Sequence, residues 1–312
     1  MRARALILAA CIVLLLAVPP LAMLFKQPYY IDLLRRVLIF AIAAVSLNLI
    51  LGYGGLVSFG HAAYLGVGGY SVGILAFYGI HNGWLQWSVA IVASALVALV
   101  IGAVSVRTRG IYFIMITLAF TQMLYYLGIS VEEYGGDDGM RLKMKSQFSG
   151  LIDLDNPVAF YYLVLALLLA ATYLVHRLVN SRFGLVLRAA KSNEARTRAI
   201  GFSPYPTQLA AFVIAGAMCG LAGALLANHT AYIAPAFMDW TRSGEIMFMV
   251  ILGGMGSMPG PALGAFALLL VEDLLAGWTQ HWQAIFGPLL VLSVLFFRRG
   301  LAGLLPKGGA DG

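Results

Sequence analysis

Glu194, with Arg198 four residues on and Arg188 and Lys191 just before it, is a set of ionisable side chains at helical spacing. A carboxylate and a guanidinium at i, i+4 pair on one helix face, an arrangement that grips rather than cleaves. A second set is polar and sits in apolar surroundings: Asn48, Ser58, His61 and Tyr64, interleaved with Gly52 and Gly55. Such groups can offer hydrogen bonds to a polar solute where the backbone breaks. Gly253 and Gly256 mark a second break of the same kind, and Thr117, Thr121 and Gln122 add polar lining in another apolar run. None of this amounts to a catalytic constellation. His61 and His229 have no acidic neighbour in sequence, there is no His-Glu-x-x-His, and no nucleophile stands beside a base. A Gly-x4-Gly-Lys-Ser/Thr phosphate loop is absent as well, so energy for any work must come from a partner or a gradient.

The elements that must hold these residues are set by composition. Of 312 residues, 61% are hydrophobic and 11% charged, and the mean hydropathy is +0.89. That excludes an ordinary soluble domain, and predicts an all-α, polytopic helical bundle in a membrane, because lipid offers the backbone no hydrogen-bond partner. Apolar runs between charge and turn signals predict ten spans, some short or broken: 6–24, 37–51, 56–80, 85–106, 111–130, 158–179, 207–227, 244–258, 262–275 and 284–297. Cys11 and Cys219 both fall inside such runs and read as buried thiols.

Lysine and arginine are retained on the cytoplasmic side. With the N terminus inside, thirteen of them fall on inner segments and seven, including Arg35, Arg36, Arg242 and the three of 141–145, on outer ones. Both termini are therefore expected in the cytoplasm, with residues 301–312 as a short cytoplasmic tail and the N-terminal run retained rather than cleaved. Acidic residues run the other way, so the net charge of +7 divides into +11 inside and −4 outside. The basic balance reports topology, with no nucleic acid as partner. The whole chain, 1–312, reads as one transmembrane domain.

Two loops stand out. Residues 131–156 form the long periplasmic segment; its Gly135-Gly136-Asp137-Asp138-Gly139 stretch lacks the alternating ligand pattern and closing Glu of a cation loop, and reads as solvated with no metal. Residues 180–206 form a basic cytoplasmic loop with helix in it. Val186, Ala190, Thr197 and Ile200 recur near helical spacing, Arg188, Lys191 and Arg198 take another face, Ser192-Asn193 can cap a second short helix, and Gly201 with Pro204 and Pro206 supplies a stop. On the residues alone, a basic loop touching lipid headgroups is the plainer reading. Glycine clustering between Asn48 and Gly73 predicts a helix break, and Ile50-Leu51-Gly52 overlays Ile251-Leu252-Gly253 as a possible internal repeat. Gly69-x3-Gly73 and Gly216-x3-Gly220-x2-Gly223 predict close helix packing within the chain. Glu272-Asp273 read as hydrated interface residues.

Three ordered stretches carry a resemblance: Ser46 to Gly66, Ile251 to Gly264, and Gly184-Leu185-Val186-Leu187-Arg188-Ala189-Ala190-Lys191-Ser192-Asn193-Glu194-Ala195 with Ala199-Ile200-Gly201-Phe202. From about residue 36 to 300 the chain resembles the LivM-type permeases of bacterial branched-chain amino-acid ABC importers. The third stretch is similar to their coupling segment, though it departs from the strict Glu-Ala-Ala-Gly form. The resemblance implies a transport subunit rather than an enzyme, in the bacterial inner membrane. It implies a homologous second permease, two cytoplasmic ATP-binding subunits and a periplasmic solute-binding protein as partners, with ATP and Mg held by the ATPases and no cofactor on this chain. It assigns ATPase coupling to Gly184, Arg188, Ala189, Lys191, Asn193, Glu194, Arg198 and Gly201. The expected passage runs by Asn48, Gly52, Gly55, Ser58, His61, Tyr64, Gly253 and Gly256. An apolar-walled path with few charges suits a neutral or zwitterionic solute with an aliphatic side chain, and the resemblance points to leucine, isoleucine and valine; urea, amides or other small amino acids, or an ion-coupled carrier, are the alternatives.

Overall fold

A computed structural model describes residues 2–24, 27–148, 150, 153–279, 281–296 and 300–304. Lys26, Arg298, Arg299, Lys307 and Asp311, most of the tail, and the side chains of Arg2, Arg4 and Cys11 lie outside the described residues.

All ten predicted spans are helices: α1 Arg2–Leu24, α2 Tyr29–Asn48, α3 His61–Phe77, α4 Gly83–Ser105, α5 Ile111–Ser130, α6 Pro157–Val179, α9 Pro204–Thr230, α10 Trp240–Gly253, α11 Gly260–Trp278 and α12 Trp282–Phe296. Two short helices, α7 Arg182–Ser192 and α8 Glu194–Ala199, lie in the loop between α6 and α9. Among the described residues six helices are long and apolar enough to cross a membrane by themselves, and the chain is a multi-pass membrane protein. The ends follow ordinary capping chemistry: Asn82 accepts from the Trp84 and Leu85 amides to open α4, and Asn156 with Pro157 opens α6.

Helix α2 is the central post. It runs on through a π turn, Leu49–Tyr53, and from Val37 to Ile50 it is buried all round, as a helix apolar on every side must be. It packs on α6, α9, α10 and α11. The sequence placed Arg35 and Arg36 in an outer loop; both belong to α2. Arg35 is buried, pairs with Asp32, donates to His229 Nδ1 at 2.8 Å and lies 4.8 Å over the Phe160 ring. His229 thus does have an acidic neighbour, Asp32 at 3.7 Å, across a sequence distance that hides it. Arg36 pairs with Glu272 at 3.2 Å and Tyr29 donates to Asp273, so the acidic pair of α11 is spoken for by α2.

Helices α3 and α9 cross at backbone contact. A Cβ on Gly68 would stand 2.0 Å from the Gly220 carbonyl oxygen, and one on Gly223 would stand 1.9 Å from that of Leu65. The glycine pattern therefore packs within the chain, with Gly68 rather than Gly73 in the crossing; Gly73 instead makes room for Ile233 and Met140.

At the end of the bundle away from α7 and α8, strand β1, Met140–Arg141, pairs antiparallel with β2, Tyr232–Ile233. The segment expected to be a solvated loop is built into that end: Leu142, Phe148 and Leu154 are buried, and the buried Ser146 amide donates to Asn228 Oδ1 at 2.8 Å.

Candidate coupling and passage site

Both predicted breaks exist, and they meet. The first is the irregular stretch 54–60 between the π turn and α3; Gly66, Gly68 and Gly69, expected to contribute to it, stay helical and pack. Span three thus begins at His61, not at Leu56. The second break, 254–259, joins α10 to α11. Asn48 clamps them: its Nδ2 donates to the Ser257 carbonyl at 3.0 Å and its Oδ1 accepts from the Gly256 amide at 2.9 Å. Gly256 has φ +74, and a Cβ on Gly52 would lie 2.5 Å from the Gly256 nitrogen, so both positions need glycine. Asn48 is 2% exposed. Replacing it with Leu strands two backbone groups at a cost of about 2 kcal/mol or more. Asn48→Leu is expected to lower the thermal midpoint in detergent by about 4 °C; an unchanged midpoint contradicts the clamp.

The α7–α8 loop sits on the same end of the bundle. Lys191, at the close of α7, reaches back so that its Nζ donates to the Gly52 carbonyl at 2.6 Å, and its stem lies against Gly55. Asn193 is extended at φ −161 and its side chain accepts from the Arg196 amide at 2.9 Å, so it alone caps α8 while Ser192 ends α7. Glu194 is only 10% exposed; it pairs with Arg198 at 2.6 Å, as predicted, and also with Arg109 from the α4–α5 turn. Gly201, at φ +89, ends α8, with the Phe202 amide donating to the Thr197 carbonyl at 3.2 Å. Pro204 and Pro206 open α9 rather than stop anything. A cleft of ≈ 370 Å³ lies between the first break and this loop, walled by Gly55, Val57, Arg109, Lys191 and Glu194.

The buried stripe of the loop is Gly184, Leu187, Ala190 and Thr197, which keeps Ala190 and Thr197 of the predicted stripe and not Val186 or Ile200. Val186 is half-buried and Ile200 exposed. Within α7 the buried residues recur every third position, 184, 187 and 190, so Val186 falls beside the row, and Ile200 lies past the last turn of α8. Gly184 is in contact with the Val179 carbonyl, and Arg188 folds over the same carbonyl at 3.4 Å, leaving Ala189 half-buried between. The outward face mixes the basic side chains Arg182, Arg188, Lys191, Arg196 and Arg198 with exposed apolar ones, Leu185 at 59%, Ile200 at 65% and Phe202 at 52%.

The expected passage residues divide. Gly55 and Gly256 lie in the two breaks, while Gly52, in the π turn, and Gly253, the last residue of α10, border them; an added Cβ on Gly253 would lie 1.8 Å from the Gly260 carbonyl oxygen. Ser58, His61 and Tyr64 are fully buried inside the subunit. The His61 ring meets Tyr64 edge to face at 5.7 Å, and its main-chain oxygen accepts from Cys219 Sγ at 3.3 Å. These three are packed among α3, α4, α5 and α9, whose glycines hold α3 and α9 close, and none of them borders the cleft beside α7. Sequence reading missed Arg242 and Glu245, which it left in or next to an outer loop: α10 starts at Trp240, one turn early, and carries both.

The comparisons agree with this architecture. The high-affinity branched-chain amino acid permease LivM of Escherichia coli is 27% identical over 87% of this chain and 69% of its own length. The probable LivM of Methanocaldococcus jannaschii is 26% identical over 89% of this chain and 94% of its own. LivH of Escherichia coli is 24% identical over 85% and 91%, and the autoinducer 2 import permease LsrC of Yersinia pseudotuberculosis is 28% identical over 66% and 62%. No solved structure matches the chain. The profile of one family covers residues 29–295, everything from the first residue of α2 to the end of α12, and the chain belongs to that family, the permease component of the branched-chain amino acid transport system.

Proposed function

We propose that this chain is one of two homologous permease subunits in an ATP-driven importer of small amino acids, branched-chain ones foremost, in a bacterial inner membrane. The observation that carries the reading is the direct seat of α7 on the first break, Lys191 Nζ on the Gly52 carbonyl at 2.6 Å. A rigid loop fixed to a broken helix can turn a partner's closure into movement of the spans behind it. The α7–α8 end faces the cytoplasm, where two ATP-binding subunits carrying ATP and Mg grip the exposed apolar side chains of the loop. Closure on ATP pushes α7 against Gly52; the Asn48 clamp passes the displacement to the second break, and α2 and α10 rock together. Solute arrives from a periplasmic binding protein, which sets the choice among solutes. Two relatives of this chain, one named for branched-chain amino acids and one for autoinducer 2, support that division of labour. This chain binds no cofactor of its own.

The test is uptake by the complex reconstituted in vesicles with LivH-like and ATP-binding partners. Leucine accumulation is expected to require ATP on the loop side and to survive collapse of ion gradients. Uptake that continues without the ATP-binding subunits and stops when the gradient is collapsed contradicts the reading and makes the chain an ion-coupled carrier.

A further inference from the structure

Arg242 and Glu245 pair at 2.8 Å on α10, with side chains 33% and 37% exposed. Their depth follows from neighbours. The Phe59 amide donates to Thr117 Oγ1 at 3.2 Å and Thr121 Oγ1 donates to the Phe59 carbonyl at 3.1 Å. Thr121 is at the middle of the 20-residue α5, about 15 Å from either end. The Phe59 ring in turn is the nearest side chain to Gly244, which precedes Glu245. The ion pair is therefore at mid-membrane depth, and it is open to the outside of the subunit.

Charges at that depth face water or protein, not hydrocarbon. Glu245 and Glu272, the latter neutralised by Arg36, line a groove of ≈ 420 Å³ floored by α10, whose walls are otherwise mostly apolar and aromatic, with Phe59, Trp240, Phe248, Trp282 and Phe286 among them; Arg242 is held beside it by Glu245. That volume is in the range of small-molecule sites. Nearby, Gln122 reaches Asp239 at 3.5 Å, and Thr241 donates to Asp239 at 2.9 Å.

We propose that this groove, closed across an aqueous passage by the second permease, is a transient site for a zwitterionic amino acid. Arg242 takes its carboxylate, Glu245 takes its ammonium, and the aromatic walls take its aliphatic side chain. Binding exchanges the Arg242–Glu245 pair for two ion pairs to the solute, so the charge count in the passage stays balanced. One subunit supplies only one wall, which is why the site is open in a single chain. The inference rests on the permease reading, and names the contact within it that the buried His61 and Tyr64 do not provide.

The test uses the complete reconstituted complex, with Cys11→Ser and Cys219→Ala as background. Thr241→Cys, in the groove, is expected to react with a charged, water-soluble thiol reagent and to be protected by millimolar leucine. Leu96→Cys, exposed on the apolar face of α4, is expected to stay unreactive. Arg242→Gln is expected to raise the KM for leucine about tenfold or more, the scale of one charge-assisted hydrogen bond, with Arg242→Lys recovering part of it. Thr241→Cys labelled only by a lipophilic reagent, or Arg242→Gln transporting leucine with the native KM, overturns the proposal. The labelling needs no transport: a native complex that imports nothing on ATP while Thr241→Cys reacts as expected and leucine still protects it refutes the ATP-driven reading and keeps the site.

Discussion

Lys191→Met is expected to cut leucine uptake more than tenfold while the partner ATPases keep hydrolysing ATP, so that ATP spent per leucine rises by the same factor. The Lys191 ammonium joins α7 to the π turn of α2, donating to the Gly52 carbonyl at 2.6 Å. A hydrogen bond to a charged group is worth about 1.5–3 kcal/mol, which is one to two powers of ten in an equilibrium between open and closed states. The ion pairs of Glu194 add less, because the Arg109 and Arg198 side chains are each 62% exposed and water screens them. Lys191→Arg, which keeps a donor of similar reach, is expected to restore part of the coupling. Unchanged ATP per leucine in Lys191→Met contradicts the strut, and loss of ATPase activity together with uptake indicates lost docking instead.

Gly223→Val is expected to abolish most of the folded protein recovered from membranes. The added side chain begins 1.9 Å from the Leu65 carbonyl oxygen, and the obstacle is helix backbone, which cannot turn aside as a side chain can. Helices α3 and α9 would have to separate along their length, undoing the packing of Tyr64 against Phe212. Overpacking at such a crossing costs about 3 kcal/mol, at the upper end of the usual range. Gly277→Ala is the matched control. It meets nothing within 4 Å, sits in a helix, and is expected to be neutral or stabilising by about 0.5–1 kcal/mol. Monodisperse protein recovered by size exclusion distinguishes the two; equal recovery of Gly223→Val contradicts the crossing.

Much of the fold was legible because a span has to be apolar over its length, and runs of that kind are visible without any contact being known. Break positions were legible for a similar reason, since Gly52 to Gly55 and Gly253 to Gly260 concentrate residues that no continuous helix favours. What sequence could not show was which side of a span faces out. Ser58, His61 and Tyr64 look like passage residues by type, yet the α3–α9 approach seals them in, a fact set by residues over 150 positions away such as Gly220 and Gly223. Charges near span ends misled in the same way. Arg35, Arg36 and Arg242 read as loop residues until their partners Asp32, Glu272 and Glu245 are seen to draw them into helices. In the coupling loop the division into two helices at Asn193 and the burial of Ala190 and Thr197 were legible, while Val186 and Ile200 were misplaced because α7 buries a row at three-residue spacing and α8 ends before Ile200.

The central claim is that a motor grips the α7–α8 loop. Its most direct measurement is a photo-cross-linking side chain placed at Leu185, which is exposed, apolar and on the outer face of α7. In membranes containing the whole complex, the predicted product joins this chain to an ATP-binding subunit, with a yield that changes between ATP-bound and nucleotide-free states. Cross-links to lipid alone, in a complex that still takes up leucine on ATP, would contradict the account.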